Sequence, residues 1–365
     1  MTSGHNPKAR FGMSLQEASE SANFSITNGP ALPVVNFAAV GKTAPTLLAT
    51  PSGKLPKASA VVITWASAEW AALQHVFCAS SATMPYSDRA QGSWPGWEKY
   101  SSNLPSGAPS SWSYWGYYRL VQIGGNPVLL FKSNTHLDWP GATYLKALID
   151  LLIKEVGPKL ILSVGTAGGA KPQDHVGTVR AVSAGTLYES GEAQSSWPEY
   201  KNAWKGSNTL LTNANFNKLL FPVPTKTADL QKLCSQFNAQ YHTTYTLAEL
   251  DPGGLALGSP SPQIDNQTGG GTSLLTASTF VVGSTSGTYQ TYACIEMDDA
   301  VIGEACAASQ TPYGFVRNLS DPAQSAALPP KVQGNWGSAV YDAYGLYTSY
   351  NGAVAAWAML AWESA

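Results

Sequence analysis

The sequence predicts an α/β fold built on a parallel sheet, with its site at the C-terminal ends of the strands. Three observations carry this: short β-branched runs of the buried-strand type, helix-patterned segments between them, and glycine or acidic residues where the strands end. The 365 residues are 44% hydrophobic, enough for a sizeable core in one large domain or two smaller ones, and a wholly disordered chain is excluded.

Residues 1–58 are rich in Ala, Ser, Gly, Pro and Thr without a sustained period, so they read as an N-terminal extension whose order would need a partner surface. A single α/β domain is expected over 59–365. Residues 60–66 form a buried strand, and a helix follows over 69–77. Residues 79–116 are an insertion short of aliphatic side chains, containing Trp94, Trp97, Trp112 and Trp115 and packed by those aromatics. Gly124-Gly125-Asn126 separates strand-like runs at 118–123 and 127–133, which predicts a hairpin. A helix over 141–156 is apolar at Leu145, Leu148, Ile149, Leu152 and Ile153.

The strand at 159–164 then ends in a glycine turn, Gly165-Thr166-Ala167-Gly168-Gly169, and another strand covers 176–183. Residues 188–276 loosen into a second insertion with one helix, 227–237. Strands resume at 279–283 and 293–297, followed by a helix at 299–308, a strand at 314–319 and a closing helix over 337–362. There are no internal repeats.

A net charge of -2 and a pI near 6.2 provide no field for nucleic acid or an anionic membrane, so a small-molecule partner is expected. Cys78, Cys234, Cys294 and Cys306 lack a C-x-x-C pair, which argues against disulfides and zinc. The polar residues 1–11 do not read as a secretory signal and no run is long enough to span a bilayer, so a cytoplasmic protein is expected. His75, His136, His175 and His242 show no metal spacing, and His136, near Asp138, is read as a residue at the rim of the site.

Only 12% of residues are charged, so carboxylates clustered where apolar segments end are expected to face a cleft. Two such clusters stand out, Glu296-Met297-Asp298-Asp299 and the Asp321 that ends Arg317-Asn318-Leu319-Ser320-Asp321. Taken in order with residues 163–169 and Ser278-Thr279-Phe280-Val281, they resemble the signature blocks of the purine nucleoside phosphorylase and methylthioadenosine/S-adenosylhomocysteine nucleosidase superfamily. The resemblance covers roughly residues 60–183 and 276–362. It implies a three-layer αβα sandwich with a mixed, largely parallel central sheet, no cofactor or metal, and homo-oligomeric assembly.

The resemblance also implies roles. Breaking a purine N-glycosidic bond needs an acid at the base and carboxylates around the sugar. Asp321 matches the aspartate that protonates purine N7, and Ser320 orients it. Asp298 stands where nucleosidases carry a glutamate that grips the ribose 2′ and 3′ hydroxyls, one methylene shorter here, with Asp299 as a substitute. Met297 packs under the ribose, Glu296 holds the sugar or the attacking water, and Thr166 and Gly168 line the space beside sugar and base. Glu69 resembles the glutamate that activates water; as a first-turn helix acid it would also be favoured by the helix dipole. Phe280 stacks on the purine and the Val281 backbone reads its edge.

Phosphorylases of this superfamily carry an arginine where this chain has Ser163 and a Gly-Asp-Pro type loop where it has Glu69, so hydrolysis is favoured. Three alternatives stay open: a phosphorylase in which Arg317 and Thr166 contact phosphate, a catalytically silent nucleoside-binding module, and a carbohydrate-binding protein that uses the Trp-rich insertion.

Overall fold

The computed structural model describes residues 31–363 apart from 79–83, 85–88, 90, 190, 203–210, 212–214, 224–226, 255–263, 268–271, 279–284 and 286. Its strands are β1 (Thr46–Leu47), β2 (Ala60–Thr64), β3 (Glu98–Tyr100), β4 (Gly116–Ile123), β5 (Asn126–Ser133), β6 (Leu160–Gly168), β7 (Val179–Val182), β8 (Ala184–Leu187), β9 (Glu199–Lys201), β10 (Ile264–Gln267), β11 (Leu274–Thr276), β12 (Ile295–Glu296) and β13 (Tyr313–Asp321). The helices are α1 (Ser67–Cys78), α2 (Ala142–Val156), α3 (Thr227–Tyr241), α4 (Leu247–Leu250), α5 (Asp299–Ala308) and α6 (Pro330–Glu363). None of them is long and apolar enough to cross a membrane.

The strands join one mixed sheet. Its centre is parallel, β5 beside β2, β2 beside β6 and β6 beside β13, whereas β4 and β9 pair antiparallel toward the edges. Successive side chains of a strand point to opposite faces, and β2 uses both. Val61 and Ile63 pack with Leu145, Leu148 and Ile149 of α2 and with Ile302 of α5. Val62 packs with Trp70 and Leu73 of α1 and with Val354 and Trp357 of α6. Helices therefore cover both faces, which is the αβα sandwich, and strands buried on both sides read as continuous apolar runs.

The Gly-Gly-Asn turn works as expected: Gly124 and Gly125 take φ of 54° and 91°, a left-handed pair that lets β4 and β5 close as a hairpin. Segments of low periodicity turned out more integrated than the sequence implied. Residues 31–58 take the domain itself as their surface: β1 pairs with β4, the Phe37 ring lies 4.5 Å from that of Trp357, and Lys42 Nζ donates to Ala361 O at 3.1 Å. Val35, Val40 and Leu55 are buried on the domain, whereas Val34 and Leu47 stay exposed. In the Trp-rich insertion Trp97, Trp112 and Trp115 are buried, and Trp94 and Trp97 pack edge-on against Trp70 of α1 at 5.0 and 5.3 Å. Trp97, Trp112 and Trp115 thus belong to the core, with Trp94 packed against it partly buried.

The glycine segment is the main correction. It is not a turn after the strand: β6 runs on through Gly168 beside β13, Arg317 opposite Gly165 and, after a register shift at Ser320, Asp321 opposite Gly168. The glycines are needed for closeness. A Cβ on Gly165 would meet the Arg317 guanidinium and lie 2.9 Å from Glu69 Oε1, and one on Gly168 would lie 2.8 Å from Asp321 Oδ2. The strand expected at 176–183 divides at Ser183 into β7 and β8, and the closing helix starts earlier, at Pro330, a residue suited to a helix's first turn. The strand expected at 279–283, with Phe280 and Val281, lies outside the described residues. All four cysteines are buried and unbridged.

One topological detail positions the site. β6 pairs with β13 along one edge, while its other edge changes partner, from β2 up to Ser163 to β12 at Gly168. Strand ends diverging around a parallel centre are where α/β sheets place ligands.

Candidate active site

In the gap where β6 loses β2 and has not yet met β12, a side chain substitutes for a strand. Glu69, in the first turn of α1, accepts at Oε1 from Thr166 N (2.7 Å) and Thr166 Oγ1 (2.8 Å). Its Oε2 accepts from Thr64 Oγ1 (2.7 Å), Trp65 N (2.9 Å) and Ala66 N (2.8 Å). Burial works against the charge on Glu69, but Arg317, the Thr166 and Trp65 amides and the Thr64 hydroxyl outweigh it and hold the carboxyl below its ordinary range. Because a carboxylate has about four lone-pair sites, this one is saturated. The expectation of a base ready to take a proton from water therefore changes: Glu69 is a fixed, persistently ionised acceptor.

Beside it sits a buried ion cluster. Arg317 Nε donates to Asp299 Oδ2 at 2.7 Å and Nη2 pairs with Asp299 Oδ1, a two-pronged contact; Nη2 also reaches Ser163 Oγ (2.8 Å) and Glu296 Oε2 (3.2 Å). Ser163 in turn donates to Asp299 Oδ1 at 2.5 Å, and the guanidinium carbon lies 5.3 Å from the centre of the Trp65 ring. Glu296 accepts from Thr276 Oγ1 and from the Asp298 amide (2.7 Å) and Asp299 amide (3.1 Å) that open α5. One guanidinium thus serves Glu69, Glu296 and Asp299. Burial, with Asp299 adding and Arg317 opposing, pushes Glu296 up to about 8, and burial likewise raises Asp299 against the pull of Arg317.

Asp298 is the position at which the helix would ordinarily be capped, yet its side chain makes no capping bond. It turns to the loop after β5, accepting from Leu137 N at 2.9 Å and facing His136 Nδ1 at 3.2 Å. Burial disfavours a charged His136, but the Asp298 carboxylate outweighs it and raises the imidazole's proton affinity.

Asp321, at the end of β13, stands apart from all of these. It is 2% exposed, accepts only from Ser320 Oγ at 2.8 Å, and its Oδ2 has no hydrogen-bond partner among the described residues. Burial pushes it up to about 7, with the Ser320 hydroxyl pulling weakly the other way. Its carboxyl lies against Gly168, whose missing side chain leaves the room it occupies.

The residues proposed from sequence therefore fall into three groups. Glu69, Thr166, Glu296 and Arg317 form one network; the Asp298 amide joins it at Glu296 while its carboxylate pairs with His136; and Ser320, Asp321 and Gly168 form a third group on β13 and β6. Met297 and Thr166 are partly exposed while the carboxylates around them are buried. Sequence reading passed over Thr64, Trp65 and Thr276, whose hydroxyls and amide hold the carboxylates and whose indole lies beside Arg317 and His136. Polar residues at the ends of otherwise apolar strands were the available signal.

The sequence profile of the phosphorylase superfamily matches residues 101–336. Solved structures to which the chain is similar include the 5′-methylthioadenosine/S-adenosylhomocysteine nucleosidase of Neisseria meningitidis in complex with methylthio-immucillin-A, at 13% identity, with 83% of this chain and 98% of that chain covered and a TM-score of 0.43. They also include the futalosine hydrolase of Helicobacter pylori (9% identity, 82% and 96% covered, TM-score 0.44) and the S-adenosylhomocysteine nucleosidase of Streptococcus pyogenes in complex with 5-methylthiotubericidin (12%, 85% and 98%, TM-score 0.43). No curated protein matches the chain.

Proposed function

Because the chain belongs to the phosphorylase superfamily, whose profile spans well over half of it, we propose that it hydrolyses the N-glycosidic bond of a purine nucleoside, with an adenine-type nucleoside or derivative as substrate. The observation that carries this reading is Asp321: a buried carboxyl with one oxygen unpartnered and a proton affinity raised to about pH 7. A general acid has to hold its proton at working pH and still be able to give it away, and a pKa near neutrality meets both demands. As the bond between C1′ and the base nitrogen breaks, Asp321 gives its proton to N7 and the base leaves neutral, while water oxygen bonds to C1′ and releases one proton to solvent, from which Asp321 is reprotonated.

The other roles follow the geometry. Thr166 is partly exposed and its hydroxyl shares Glu69 Oε1, so rotation of that hydroxyl frees a lone pair to which the attacking water can donate. Asp298 has one partner on each oxygen and retains sites for a vicinal diol, with Met297 beneath the sugar. Phe280 and the Val281 backbone are assigned to the base by resemblance to the superfamily's signature blocks.

The ion cluster supports water over phosphate as nucleophile. Arg317 is consumed by Asp299, Glu296 and Ser163, and a phosphate brought to it would face Glu69 as well. The saturation of Glu69 favours one second reading, a module that binds nucleosides without cleaving them. Incubating the protein with adenosine, inosine and 5′-methylthioadenosine, with and without phosphate, and measuring free base by liquid chromatography tests both. Base release independent of phosphate is expected; strict phosphate dependence sinks the hydrolase reading, and binding without release supports the silent module.

A further inference from the structure

We infer that His136 is a positioning residue for Asp298, and that the two together form the sugar-recognition unit that selects ribonucleosides over deoxyribonucleosides. This inference rests on the nucleoside reading above. Its starting point is an aspartate that declines its usual work. At the N-terminus of a helix an Asp side chain ordinarily bonds the amides of the first turn, but here Glu296 takes the Asp299 amide and Thr276 Oγ1 takes that of Ala300 at 2.8 Å. The Asp298 carboxylate, 3% exposed, is thereby released from helix capping and committed to a loop 162 residues away in sequence.

That loop is built to hold the imidazole still. Trp65 Nε1 donates to Thr135 O at 2.8 Å, and Ser133 Oγ donates to the same carbonyl at 2.8 Å while accepting from Thr135 N at 2.9 Å. His136 N donates to Trp139 O at 2.8 Å, and the His136 ring packs 6.1 Å from that of Trp65, the residue that also lies against Arg317. With Nδ1 donating to Asp298 Oδ2 and the Leu137 amide donating to Oδ1, both oxygens are fixed in direction. A short carboxylate reaches a diol only if its angle is set in advance, and these two donors set it.

The test separates position from packing. His136→Phe keeps a ring against Trp65 but loses the donor, whereas His136→Asn keeps a donor near the place of Nδ1. Losing a hydrogen bond to a charged group predicts a roughly 10- to 100-fold fall in kcat/KM for adenosine in the Phe variant, expressed mainly in KM. For 2′-deoxyadenosine, which offers Asp298 only its 3′ hydroxyl, the fall is expected to be smaller, so the ribo-to-deoxy preference narrows, and Asn recovers most of it. Equal losses on both substrates, or an unchanged preference, overturn the inference. Calorimetric affinities for adenosine and 2′-deoxyadenosine read the same ratio if the protein binds without cleaving, which separates failure here from failure of the hydrolase reading. In unsubstituted protein the ring nitrogen resonances of His136 are expected to shift on saturation with adenosine; an unmoved signal counts against the inference even if the variants do not fold.

Discussion

Asp321, at the end of β13, and Glu69, in the first turn of the helix that follows β2, are buried carboxyl groups beside the two strands that flank β6, yet their surroundings drive them in opposite directions. Glu69 is surrounded by amides and hydroxyls and falls below its ordinary range, while Asp321 has one hydroxyl, an unpartnered oxygen and a pKa raised to about 7. Satisfaction is what separates scaffold from chemistry here. A saturated carboxylate fixes the backbone in the gap beside β6; an unsatisfied one costs stability and stands ready to meet a ligand.

The largest effect expected from this contrast is at Asp321. Asp321→Asn keeps the shape but holds no transferable proton, so base release falls by roughly 10²- to 10⁴-fold. In the unsubstituted protein the same group makes activity decline as pH rises past about 7. Stability should fall with rising pH as well, starting from a lower pH. Folded Asp321 holds its proton more tightly than the unfolded chain, so between about pH 4 and 7 the folded state binds more protons and stability falls as pH rises. A rise from 3.8 to about 7 is roughly three pH units, on the order of 4 kcal/mol, and that cost is fully present above pH 7. The Asn variant is therefore expected to melt higher than wild type at pH 8 and to lose that advantage at pH 4. Equal melting curves at pH 8 would show that Asp321 is not held protonated by burial.

Next in size is Arg317. Removing its guanidinium leaves Glu296, Asp299 and Glu69 buried without a cation, and breaking a buried ion pair from one side costs about 3–5 kcal/mol. Arg317→Ala should unfold at markedly lower urea than wild type, and Arg317→Lys should recover little, because a lysine cannot make the two-pronged contact with Asp299. Loss of activity with unchanged urea midpoints would instead assign Arg317 to the substrate and weaken the argument against phosphate.

The same contrast explains what was legible in the sequence. The helix at Asp299–Ala308, the hairpin and the buried strands follow from local pattern, and the acids that matter were visible because charge is scarce. What each acid does was not visible. Saturation of Glu69 depends on β6 changing partners between Ser163 and Gly168, and the turn of Asp298 depends on a loop far away in sequence. Gly165 and Gly168 read as a turn because local pattern cannot show that Arg317 and Asp321 lie against them. Gly168→Ala tests this directly. Its Cβ would lie 2.8 Å from Asp321 Oδ2, so overpacking of about 1–3 kcal/mol is expected, together with displacement of the acid. Base release should fall while the sheet survives; an unaffected rate would mean that Asp321 gives way without consequence.

The smallest expected effect is the most discriminating about Glu69. Thr166→Val is nearly isosteric on a strand and keeps the amide that donates to Oε1, but deletes the hydroxyl that shares it. Losing one such bond costs about 1–3 kcal/mol when the acceptor is charged and nothing replaces it, and less if water does. Since residue 166 is partly exposed, water is expected to fill the place, leaving the urea midpoint almost unchanged. If the hydroxyl only competes with the attacking water for Glu69, the variant hydrolyses as fast as wild type or faster. If the hydroxyl holds that water, the rate falls and Thr166→Ser restores it. A large loss of stability in Thr166→Val would place the whole Glu69 network on the scaffold side of the comparison, leaving Asp321 as the one carboxyl of the pair kept free for substrate.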